Sequence, residues 1–95
     1  MKPENVNPKN FKVEKVVYDN NDFSIAYGIW EGGKTHLAMR WNGESENDPG
    51  YPKLFKNPVW FLVTEELKVP ILTALINLTD TKNQETLEVL KKELK

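Results

Sequence analysis

The chain has 95 residues, a net charge of −1, 39% hydrophobic and 28% charged residues, and no cysteine. That length suits one domain with a modest core, burying roughly 60–65% of the surface its unfolded form exposes. The charge balance argues against a domain built around phosphate neutralisation. The missing cysteines exclude disulfides, thiolate nucleophiles and Cys-based zinc sites.

Residues 1–10 carry Pro3, Pro8 and three asparagines, with no apolar run. They lack a signal-peptide pattern and read as a flexible arm ahead of a single α+β domain over residues 11–95. No stretch reaches the roughly 18 apolar residues of a membrane span. A small domain without disulfides suits a reducing cytoplasm, and a membrane partner is not expected.

Phe11 to Tyr18 read as a first strand, and Asp19-Asn20-Asn21-Asp22 as a turn, since Asn and Asp tolerate positive φ and bond their own backbone. Strands over 23–30 and 34–41 follow, joined by Glu31-Gly32-Gly33. A three-residue loop ending in a left-handed glycine is a common hairpin connection. It pairs Trp30 with Lys34, Tyr27 with Leu37 and Ile25 with Met39. A two-residue loop would set Ile25 against Arg40 and Ile29 against His36, and a one-residue slip moves every side chain to the other face. The apolar match favours the longer loop. For the first hairpin, pairing Val17 with Phe23 and Val13 with Tyr27 is preferred to pairing Tyr18 with Phe23, because it also places Phe11 in the core.

This register defines two faces. The first, with Phe23, Ile25, Tyr27, Ile29, Leu37, Met39 and Trp41, has the composition of an ordinary core. The second mixes small residues with Trp30, Arg40 and the lone His36.

Residues 42–57 form a long connection, of a length that is uncommon in compact domains and often functional. Val59 to Val63 read as a fourth strand, apolar at every position and so covered on both sides. Thr64 can cap a helical turn, and Pro70 interrupts that helix or starts a fresh one. Ile71, Leu72, Leu75, Ile76 and Leu78 make an apolar stripe. Thr81 with Gln84 has capping-box spacing, and a last helix carries Leu87, Leu90 and Leu94. The expected fold is α+β: a four-stranded antiparallel meander, β-β-β-β-α-α, with the C-terminal helices packed on one face. In topology alone the order of elements resembles single-stranded-DNA-binding transcriptional coactivator domains, although this chain lacks a basic arm.

The candidate site is the second face, with Trp30, Arg40 and Trp60 as anchors and His36 and Tyr18 at the rim. Trp, Tyr and Arg are the residues enriched at binding hot spots. The competing expectation is that the long loop folds back and plugs this face with Tyr51 and Phe55. A non-enzymatic module binding a protein partner, or itself as a homodimer, is the leading reading. The same face, with Lys12, Lys34 and Arg40 supplying charge, could instead stack single-stranded nucleic acid.

Catalysis has little support. His36 is the only histidine, and it stands opposite Gly28 where a nucleophile–base pair would need Ser24. Glu44, Glu46 and Asp48 alternate, but an EF-hand needs Gly at its sixth position and Glu at its twelfth, where this chain has Pro49 and Phe55. No catalytic residue, metal or cofactor is expected. A metal enzyme using these acids with His36 is the remaining alternative. Gly32-Gly33-Lys34-Thr35 looks like the end of a phosphate loop, but it sits in a hairpin with no following helix.

Overall fold

The computed structural model describes residues 1–78, which form an α+β structure with a four-stranded antiparallel sheet and a C-terminal helix. Six strands appear in chain order: β1 Phe11–Asp19, β2 Phe23–Trp30, β3 Lys34–Trp41, β4 Lys53–Leu54, β5 Asn57–Pro58 and β6 Phe61–Leu62. The main sheet runs β1-β2-β3-β6, and β4 and β5 make a small hairpin of their own. The chain divides into two compact units, Met1–Val63 and Thr64–Lys95.

The β2–β3 hairpin adopts the register its turn dictates, with Trp30 opposite Lys34, Tyr27 opposite Leu37 and Ile25 opposite Met39. Gly33 has φ +88°, the left-handed conformation that the last loop position requires. Its N–H donates to the Trp30 carbonyl at 2.9 Å.

The β1–β2 hairpin departs from both expected registers. Phe11 lies opposite Trp30, Val13 opposite Gly28, Val16 opposite Ala26 and Tyr18 opposite Ile25, with register shifts between Val13 and Lys15 and between Val16 and Tyr18. The physical reason is spacing. Val13 and Val16 are three residues apart, yet both belong with the second face of β2. A strand of strict period two cannot place them there, and an inserted residue can. The second shift carries Tyr18 to the first face, opposite Ile25. The turn itself forms as an Asx structure, with Asn20 Oδ1 accepting from the N–H groups of Asp22 at 3.0 Å and Phe23 at 2.7 Å.

One apolar cluster lies on the second face and comprises Val6, Phe11, Ala26, Ala38 and Trp60. The segment expected as an arm supplies part of it: Pro3, in a short 3₁₀ turn over Pro3–Asn5, and Val6 are both buried. The Trp60 indole N–H donates to the Val6 carbonyl at 2.7 Å, and the Phe11 and Trp60 rings meet at 5.9 Å. Small residues on this face are what let the cover approach. A Cβ added at Gly28 would stand 2.5 Å from Phe11 Cζ and would also meet the Lys12 carbonyl. Gly28→Ala is therefore expected to destabilise the fold by roughly 1–3 kcal/mol, the usual cost of overpacking against backbone. Thermal unfolding reads this, and an unchanged midpoint would contradict the close approach.

The fourth strand is shorter than expected. Only Phe61 and Leu62 pair with β3, opposite Met39 and Ala38. Trp60 and Val63 are buried, whereas Phe61 is exposed. In the second unit a 3₁₀ turn, Glu65–Leu67, leads into α1, Lys68–Leu78. Pro70 falls in the first turn of α1, where its missing N–H breaks no helical bond. Lys68 Nζ pairs with Glu65 Oε1 at 2.9 Å. The Thr64 side chain makes no capping hydrogen bond. The expected final helix, with Leu87, Leu90 and Leu94, lies outside the described residues.

Candidate functional site

The second face is interior. Arg40 is 1% exposed and Trp60 is 7% exposed, so neither presents surface to a partner in this conformation. The Arg40 guanidinium lies 5.9 Å from the Trp60 ring centroid. Its Nη1 donates to the Val59 carbonyl at 2.5 Å and to the Pro52 carbonyl at 3.4 Å, and its Nη2 donates to the Pro49 carbonyl. Burial holds the guanidinium's pKa below its ordinary value. Its Nε makes no hydrogen bond. Arg40 thus gathers the backbone of the long connection beneath the sheet, a role suited to a planar fork of donors. A Cβ at Gly50 would stand 2.7 Å from Arg40 Nη2, and Gly50 has φ +68°, so glycine serves both the space and the backbone there.

The loop does not act as the expected plug. Its backbone caps Arg40, while Tyr51 is 65% exposed and Phe55 is 94% exposed. Trp30 is half-buried against the core cluster and borders a groove of about 600 Å³ shared with Pro8, Phe11 and Val13. His36 is half-buried opposite Gly28, with Nδ1 3.4 Å from the Val63 carbonyl. The lysines grouped for nucleic acid do not share a face. Lys12 pairs with Ile29 on the first and Lys34 with Trp30 on the second.

Ser24 is committed to structure. Its hydroxyl donates to Asn42 Oδ1 at 2.7 Å, and Asn42 Nδ2 donates to Asp19 Oδ1 at 3.1 Å and to the Asn21 carbonyl at 3.0 Å. Asp48 braces its own loop by accepting from the N–H groups of Glu44 at 3.0 Å and Gly50 at 2.9 Å. Those amide donors hold its carboxyl below the usual range. Among the described residues, no three His, Cys, Asp or Glu side chains converge as metal ligands.

The accessible aromatic surface is on the first face. Phe23, Met39, Trp41, Tyr51, Pro52 and Phe61, together with Arg40, line an open cleft of about 230 Å³. Backbone pairing builds it. On its outer edge β3 pairs with β6 at Met39 and then with Tyr51 at Trp41, through hydrogen bonds in both directions. The cleft occupies the gap between these two partners. Trp41 is 55% and Phe61 65% exposed. The Phe23 and Trp41 rings pack edge to face at 4.7 Å, an arrangement that fixes one wall.

Next to the cleft stands the β4–β5 hairpin. Leu54 pairs with Asn57, leaving a two-residue turn of Phe55 and Lys56. Phe55 has φ +61°. A positive φ at the first of two turn positions is the pattern that favours glycine there. A bulky residue in this conformation costs about 1–2 kcal/mol.

The sequence reading missed the cleft because it assigned Phe23, Met39 and Trp41 to a covered core. Comparison with protein families, with curated proteins and with solved structures finds no match to this chain.

Proposed function

We propose that this protein is a non-enzymatic binding module that holds an apolar side chain of a protein partner in the Phe23–Trp41–Tyr51–Phe61 cleft. The observation carrying this reading is the concentration of exposed aromatics around one concavity of about 230 Å³. Scattered exposed apolar residues need no explanation, but a contiguous apolar patch marks an interaction site. The size suits a single aromatic or branched aliphatic anchor, since an apolar cavity near 150 Å³ already accepts benzene. Aromatic walls with few rotatable bonds also lose little entropy on binding.

A peptide-display selection against the folded protein tests this. The selected peptides are expected to share an aromatic or aliphatic anchor. The Trp41→Ala/Phe61→Ala double variant is expected to weaken their binding by about 2 kcal/mol or more, some thirtyfold. Circular dichroism checks that the variant keeps its fold. Peptides that bind the double variant as tightly as the parent would remove the cleft from the reading.

A further inference from the structure

We propose that the occupant of the cleft is Phe55 of a second copy of this chain, exchanged reciprocally in a two-fold dimer. This rests on the reading of the cleft as a binding site and names its partner.

Four features lead to it. Phe55 stands almost fully exposed at a turn position whose backbone favours glycine. Leu54 beside it is also exposed, so two adjacent apolar side chains stand at the tip between Lys53 and Lys56. The base of the hairpin is held from below, because Arg40 donates to the carbonyls of Pro52 and Val59, and the Val59 N–H donates to the Pro52 carbonyl at 3.1 Å. The ring is thus presented on an ordered stem, which limits the entropy lost on docking. The cleft lies at the foot of that same stem, with Tyr51 and Pro52 in its wall.

Spacing makes the exchange mutual. Phe55 lies three positions beyond Pro52, about 10 Å of extended chain. Two stems laid antiparallel therefore bring each tip to the other's foot. Such an interface is isologous and closes on itself.

The area is adequate for a weak dimer. At the exposures of Trp41, Tyr51, Phe55 and Phe61, and with about 150–250 Å² for each ring, the four present roughly 420–700 Å² per copy. Complete burial on both copies gives about 1,100 Å², just under the lower bound of stable interfaces and in the range of weak ones. Association is accordingly expected only at elevated protein concentration.

Sedimentation equilibrium from micromolar to millimolar protein is the test. The parent is expected to pass from monomer towards dimer. Phe55→Gly, which removes the ring and suits the turn, is expected to weaken dimerisation at least tenfold while thermal stability holds or rises. Trp41→Ala is expected to weaken it likewise. An equimolar mixture of the two variants retains one intact ring-in-cleft pair, and so should associate more strongly than either alone. A parent monomeric throughout overturns the proposal, as does a Phe55→Gly variant that dimerises like the parent. Monomeric parent that binds anionic phospholipid vesicles through Phe55 also overturns it, in favour of a lipid surface. Each of these leaves the peptide selection to decide the cleft independently.

Discussion

Replacing Arg40 with alanine is expected to cost about 3 kcal/mol or more of folding stability. Arg40 heads the fully buried side chains by size, and its guanidinium satisfies the carbonyls of Pro49, Pro52 and Val59. Removing it takes this donor from the partly buried carbonyls of Pro49 and Val59, at about 1–3 kcal/mol for each that water cannot reach, while the Pro52 carbonyl keeps the Val59 N–H, and it opens a cavity as well. Domains of this size are stable by only about 5–15 kcal/mol, so the loss is a large share of the total. Urea denaturation should show a lower midpoint with little change in slope. Arg40→Met separates the causes, because it keeps much of the volume and none of the donors. If the methionine variant matches the parent, the carbonyls do not depend on the guanidinium and the clamp is wrongly assigned.

Trp60→Ala is expected to cost about 3–5 kcal/mol, the range for deleting a large buried aromatic. Trp60 joins three parts of the chain that are distant in sequence. Its ring packs on Phe11, its indole N–H binds the Val6 carbonyl, and the Arg40 guanidinium lies near its face. Trp60→Phe retains most of the packing and deletes the donor, so it should cost nearer 1 kcal/mol. The two variants measured together test the docking of the N-terminal segment. Equal losses would mean that the hydrogen bond to Val6 dominates over ring burial.

The contrast between the two hairpins explains how much of this fold could be read in advance. The β2–β3 register was legible because its alternation is regular and a slip would have buried Arg40 and His36 among aliphatics. In β1 the alternation breaks between Val13 and Val16. That three-residue step was itself the signal of a bulge, and a period-two reading passes over it. The cover of the second face was harder to see. It comes from Val6, a lone apolar residue in a polar segment, which gives no periodic pattern. The position of Arg40 followed from strand alternation, but not its partners, which are backbone carbonyls with no side-chain signature. For the cleft, composition misled at one end of the first face. Ile25 and Leu37 of the same face are buried as its composition suggests, but Trp41 and Phe61 stand exposed where the pairing along the edge of β3 changes from β6 to Tyr51, and Phe23 and Met39 are half-buried beside them.

The register shifts in β1 bear on aggregation. A β-sheet invites further strands at its margins, and unguarded margins seed fibrils. Here one margin is β1, bent by two irregularities, and the other is β6, two residues long. Neither offers the flat, regular row of amides that a growing cross-β stack needs. Among the described residues, adhesion by exposed aromatic side chains is thus separated from templating by backbone.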